Sequence, residues 1–115
     1  MVDGRTEIYR IINQFIKSLT NDIALNQVIL FGSHTKGKIK PHSDIDLIVV
    51  SPSFANNKHI ENMQYLFRKA AKVNSLIEPI PATPDEIARA DKRSFLGQVI
   101  KTGEVIYSYS QTSTS

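Results

Sequence analysis

The chain contains no cysteine. That excludes disulfides, a thiol nucleophile and cysteine-ligated zinc. No stretch approaches the ~18 apolar residues of a membrane-spanning helix, so no membrane contact is expected. The N-terminal MVDGRTEIYR is polar and lacks the apolar core of a signal segment, which favours a cytoplasmic location. There is no internal repeat. Nor is there a large excess of one charge: the formal net charge is +3, which suits phosphate ligands or an acidic partner without demanding either. The lysines are too few and too dispersed to trace a nucleic-acid path, so nucleic acid is not an expected partner. What remains is 115 residues, 41% apolar and 22% charged. This is the profile of one globular domain with a single core and little room for a second lobe.

Periodicity divides the chain into alternating elements. Ile8, Ile11, Ile12, Phe15, Ile16 and Leu19 recur at three- and four-residue steps, one apolar stripe of a helix that Asn21-Asp22 ends. Gln27–Phe31 is a short apolar run and reads as a buried strand. Ser33 could cap a short helix running to Gly37, and Pro41-His42-Ser43 reads as a turn. Asp44–Val50, rich in Ile and Val, predicts a strand that Ser51-Pro52-Ser53 stops. Ile60, Met63, Leu66, Phe67, Ala70 and Val73 predict a second helix. Ser75–Ile80 predicts a third strand, near an edge because of Pro79 and Pro81. Thr83-Pro84-Asp85-Glu86 is a helix start with a capping box. Ile87, Phe95, Leu96, Val99 and Ile100 give the following helix or helix pair its apolar face, and Gly103 stops it. Val105–Tyr107 can add a short strand. The expected fold class is α/β (α+β), a small mixed sheet flanked by helices. Residues 1–107 form the domain, and 108–115 a polar tail expected to be disordered.

Two overlapping patterns compete in FGSHTKGKIKPHSDIDLIVV, residues 31–50. Gly32 to Lys38 matches the first seven positions of a phosphate-binding P-loop. The eighth is Ile39, which has no hydroxyl for Mg²⁺, and Pro41 forbids a long helix from Gly37. The other pattern is Gly32-Ser33, ten residues, then Asp44-Ile45-Asp46. Side chains alternate across a strand, so Asp44 and Asp46 face the same way with Cα atoms ~6.7 Å apart. Ile45, Leu47 and Val49 then face a core. Two adjacent carboxylates repel, and a divalent cation offsets that directly. Mg²⁺ favours one or two carboxylates plus substrate phosphates. For an isolated D-x-D the plainer account is a turn cap and a solvated acid. The neighbours weigh against it here. Gly32-Ser33 can offer N–H groups and a hydroxyl to phosphate. Lys36, Lys38 and Lys40 supply positive charge. Glu78 stands inside an apolar strand, where an acid either lies on an exposed face or shares the cation.

With these residues the segment Val28 to Val50 resembles the signature of the DNA polymerase β-type nucleotidyltransferases, and the short chain is similar to the minimal members of that superfamily. The resemblance implies a polymerase β-like nucleotidyltransferase fold and carries roles residue by residue. It makes Gly32 and Ser33 the phosphate-binding turn, and Lys36 a basic residue near the triphosphate. Asp44 and Asp46 become the paired metal ligands, and Glu78 the third acid, in a position that is Asp in many members. It further implies two Mg²⁺ ions, with Mn²⁺ as a substitute, and ATP as donor. Glu78 could also act as general base. Minimal members are commonly paired with a HEPN-type toxin, so the resemblance implies an antitoxin that transfers AMP to a partner hydroxyl, that of a tyrosine. The alternative is a non-catalytic module that neutralises or scaffolds a partner by contact. A third class, transfer to a small hydroxylated antibiotic or an RNA 3′ end, would need a second lobe or a basic path.

Other polar residues have simpler accounts. His34, His42 and His59 show no metal-ligand spacing, although His34 can reach the pocket rim, and Ser43 reads as a turn residue. Asp85 and Glu86 suit the first turn of a helix. Arg89, Lys92 and Arg93 suit a solvated basic face. Tyr9, Tyr65 and Tyr107 are expected to bury their rings.

Overall fold

The structure is a computed structural model that describes residues 4–32 and 44–109. Ser33, Lys36, the short helix expected after Ser33, the turn at 41–43 and residues 110–115 of the tail lie outside the described residues. The elements in order are helix α1 (Gly4–Thr20), strands β1 (Gln27–Phe31) and β2 (Ile45–Val50), helix α2 (His59–Ala71), strand β3 (Ile77–Ala82), helices α3 (Pro84–Ala88) and α4 (Phe95–Thr102), and strand β4 (Glu104–Ser108). Among the described residues these strands make a four-stranded sheet in the order β3-β2-β1-β4. β1 runs antiparallel to β2 and β4, and β2 runs parallel to β3. This is a mixed sheet flanked by helices, the architecture that the element pattern implies.

Alternation along the strands sorts the core into two layers. Val28, Leu30, Ile45, Leu47, Val49 and Ile77 pack with Ile12, Phe15 and Leu19 of α1 and Leu66 and Ala70 of α2. On the opposite face, Ile29, Ile48, Val50 and Ala82 pack with Val99 of α4, and with the half-buried Phe31, Ile80, Ile87 and Leu96. A strand covered on both faces reads as a continuous apolar run. β2 does so everywhere except at Asp46.

The third strand spans Ile77–Ala82 rather than 75–80. Its first residues form a turn in which Leu76 N–H donates to Asn74 Oδ1 at 2.8 Å. Its end is carried on to Ala82 by the length of β2, its parallel partner. It is the edge strand, and the ladder shows why two prolines are tolerated. Leu76 and Ala82 turn their carbonyls toward β2, accepting from Ile45 N–H at 2.7 Å and from Ser51 N–H at 2.9 Å. Residues of odd number therefore point their nitrogens at the free edge, where Pro79 and Pro81 have no ladder bond to lose.

The capping box at Thr83 forms as its residues dictate: Thr83 Oγ1 accepts from Glu86 N–H at 3.1 Å, and Thr83 N–H donates to Glu86 Oε1 at 2.9 Å. The apolar stretch beyond it divides into two helices, because Ser94 caps a second one by accepting from Gly97 N–H at 3.0 Å. Only part of the expected apolar face turns inward. Val99 is buried and Leu96 half-buried, but Phe95 and Ile100 are exposed. A short 3-10 turn at Pro52–Asn56, unanticipated from the sequence, follows β2 and buries Phe54.

Candidate active site

β2 is fixed from its first residue by the Ile45–Leu76 hydrogen bond, and this sets Asp44 and Asp46 at its mouth. In the register of the sheet Asp46 lies between Phe31 of β1 and Glu78 of β3. Residues level with one another on adjacent strands share a face, so Phe31, Asp46 and Glu78 form a row across three strands. Asp46 is half-buried, whereas Asp44 and Glu78 are exposed. The question of which way Glu78 points is a question of register, since a one-residue slip would turn it to the other face. The observed register turns it to the acids.

Proximity leaves an electrostatic mark. Loss of hydration beside the sheet, followed by the charges of Asp44 and Asp46, raises the Glu78 carboxyl above the ordinary carboxylate range, and Glu78 is within hydrogen-bonding reach of both. A carboxyl surrounded by carboxylates holds its proton longer because ionising it adds a like charge.

Gly32 completes the arrangement from the end of β1. Its φ is +84°, a left-handed conformation that a side chain disfavours. A Cβ there would meet Asp46 Oδ2 at 2.6 Å. The glycine therefore leaves the space that the Asp46 carboxylate occupies.

The donor set suits a divalent cation. Three carboxylates supply hard oxygen ligands, and their mutual repulsion is what a cation relieves. Among the described residues no three acids or histidines close into a ready-made ion cage.

Other candidates fall elsewhere. His59 is exposed and borders a separate cavity with Asn57, Asn62 and Glu86. Asp85 pairs with Arg89 on the outside of α3. A cleft of about 640 Å³ between Thr20, Leu25, Asn26, Pro52, Tyr107 and Tyr109 lies at the far end of the sheet from the acids. The rings of Tyr9, Tyr65 and Tyr107 are half-buried; Tyr9 donates to Glu104 at 2.7 Å and Tyr65 to Asp22 at 2.9 Å. One feature beside the acids escaped the sequence: Phe31 meets Phe95 edge to face, with ring centroids 5.4 Å apart. An apolar residue at helical spacing signals burial, and nothing in the sequence distinguishes this ring from Leu96 beside it.

Comparison with known proteins gives a consistent picture. The family described as "Polymerase beta, Nucleotidyltransferase" matches residues 13–112. No curated protein matches the chain. Among solved structures, a candidate nucleotidyltransferase from Sulfolobus solfataricus is similar with a TM-score of 0.69 and 16% identity, over 91% of this chain and 84% of the other. A chain of a toxin–antitoxin complex with AMP-PNP is similar with a TM-score of 0.59 and 25% identity, over 86% and 74%. A chain of the complex between tri-AMPylated Shewanella oneidensis HEPN toxin and MNT antitoxin has a TM-score of 0.56 and 22% identity, over 89% and 73%.

Proposed function

We propose, from the premise that this chain belongs to the polymerase beta nucleotidyltransferase family, that it transfers AMP from ATP to a hydroxyl of a HEPN-type toxin and so acts as the antitoxin. That the chain is a nucleotidyltransferase follows from the family and fold. The donor, acceptor and partner are the proposal. The observation that carries it is the convergence of Asp44, Asp46 and Glu78 on one sheet face beside the space left by Gly32. Likeness to chains of toxin–antitoxin complexes, one with AMP-PNP and one with an AMPylated toxin, supports the choice of donor and partner.

In this reading Asp44, Asp46 and Glu78 would hold two Mg²⁺ ions, or Mn²⁺ in their place. When bound, such ions neutralise the triphosphate and lower the pKa of the acceptor hydroxyl. Gly32 and Ser33 offer backbone N–H groups and a hydroxyl to the phosphates, and Lys36 adds a counter-charge. A carboxylate oxygen of Glu78 takes the acceptor's proton as the acceptor oxygen bonds to the α-phosphorus, the bond from that phosphorus to the β-phosphate's bridging oxygen breaks, and pyrophosphate leaves. A domain of this size has little surface from which to build an acceptor pocket of its own, so the acceptor lies on the partner; that it is a tyrosine is what the resemblance to minimal nucleotidyltransferases implies. Among the described residues no helix is long and apolar enough to cross a bilayer.

The test is to incubate the protein with ATP, Mg²⁺ and the folded product of the neighbouring gene, then weigh that product. The expected result is a gain of one or more AMP masses, lost when Asp44→Asn and Asp46→Asn are combined in a variant that still binds the partner. Neutralisation of the partner by that variant, with no AMP added by either protein, would establish the contact-only alternative instead.

A further inference from the structure

We infer that Phe95, braced by Phe31, is the platform on which the base of the bound nucleotide stacks; the inference rests on the nucleotidyl-transfer reading of the adjacent acids. Phe31 is the cross-strand partner of Asp46 on the same sheet face, which sets their Cβ atoms roughly 5 Å apart. The Phe95 ring is in turn held against Phe31 at an interplanar angle of 80° with centroids 5.4 Å apart. The ring pair thus links the acidic row directly to the start of α4.

Phe95 is 56% exposed, although it is the first residue of α4 and its neighbours Leu96 and Val99 pack onto the sheet. A large apolar ring left half in water loses hydrophobic stabilisation that a polar residue would not forgo. Here the ring is also fixed in orientation by an edge-to-face partner. Rigid and open is the state that favours stacking of a planar ligand, since little side-chain freedom remains to be lost on binding. The acids gather the charged end of a nucleotide. Its base must then lie a ribose away, and Phe95 is the exposed ring that contact with Phe31 ties to that end of β1. An aromatic side chain of a protein partner could meet the same surface, but it would have no need of the connection to Asp46.

Base–aromatic stacking changes affinity by on the order of tenfold or more. The test is calorimetric titration of the full chain with ATP and, separately, with inorganic tripolyphosphate, both in Mg²⁺. Wild type, Phe95→Ala and Phe95→Tyr are compared, with circular dichroism checking that each is folded. Phe95→Ala is expected to weaken ATP about tenfold and leave tripolyphosphate unchanged, and Phe95→Tyr to keep ATP near wild type. Equal weakening of both ligands, or an unchanged ATP affinity, overturns the inference while leaving the nucleotidyl-transfer reading intact. Loss of partner binding with ATP affinity unchanged would assign the ring to the protein interface, and also overturns it. If wild type binds neither ligand, the reading of the acids fails and the inference with it.

Discussion

At the scale of single residues, Gly32 and Glu78 show how backbone and charge set this site. Gly32 serves two needs at once, a φ of +84° and the absence of a Cβ where Asp46 Oδ2 would lie at 2.6 Å. Gly32→Ala is therefore expected to cost roughly 2 kcal/mol of stability through the strained backbone. It should also lower AMP transfer by about 100-fold or more, because Asp46 must move to make room. Urea unfolding and a transfer assay measure the two losses separately; a fully active Gly32→Ala would show that the Asp46 position is unimportant. Glu78 has the opposite character, since it destabilises the metal-free fold. Its proton is held more tightly in the folded chain than in the unfolded one. Its contribution to stability therefore improves as the pH falls through the raised folded value, and levels off below the ordinary unfolded value. Above that window the repulsion is fully present. Glu78→Gln is expected to raise the metal-free melting temperature at neutral pH by about 2–4 °C, and to reduce the further rise on adding Mn²⁺ or Mg²⁺. A lower metal-free melting temperature would contradict a repulsive cluster.

At the scale of elements, one set of polar contacts reinforces the joint between α1 and α2. Asp22, just past α1, accepts a hydrogen bond from Tyr65 of α2 at 2.9 Å and pairs with Lys69 of α2 at 2.9 Å. The Lys69 ammonium foremost, then the Tyr65 hydroxyl, holds the Asp22 carboxyl below the usual carboxylate range. A carboxyl whose folded pKa is lowered contributes above its unfolded value, ~3.9, and loses that contribution as the pH falls through the folded value. Asp22→Asn is expected to be slightly less stable than wild type at pH 7. The gap should close on acidification, and should narrow with added salt because the pair is solvent-exposed. Thermal melts at several pH values would show it; a gap independent of pH would mean that packing, not charge, is what the substitution disturbs. The same scale explains β3, whose prolines turn to the free edge and so leave the pairing that aligns Glu78 with Asp46 undisturbed.

At the scale of the whole molecule, the sheet separates stability from chemistry. One face joins α1 and α2 in the larger core, with Phe15, Ile12 and Leu19 fully buried. The other carries the acids at one end, with the smaller α3–α4 layer beside them through the contact of Phe31 with Phe95. Phe15→Ala, which leaves a cavity in the larger core, is expected to cost about 3–5 kcal/mol, a large part of the ~5–15 kcal/mol typical of a domain. Nucleotide binding by the fraction still folded should be unchanged. Chemical denaturation, with ligand binding measured well below the transition, checks both parts. Unaltered stability would place Phe15 outside the cooperative core.

The sequence by itself determined most of the elements and which acids are candidates for the site. Helical spacing marked α1 and α2, alternation put Asp46 opposite Leu47, and the Thr83-Pro84-Asp85-Glu86 box started α3, because each of these signals acts within one turn or one pleat of the chain. The interval from Gly32-Ser33 to Asp44 and Asp46 was legible for the same reason. Tertiary structure alone decided that Glu78 stands level with Asp46, since the register of two parallel strands joined through α2 is set by packing over residues far apart in sequence. It also decided that Gly32 must lack a Cβ for the sake of Asp46, and that Phe95, apolar like its buried neighbours, stays in the open against Phe31. Local pattern says that a residue is apolar or acidic; only the assembled sheet says which others it meets.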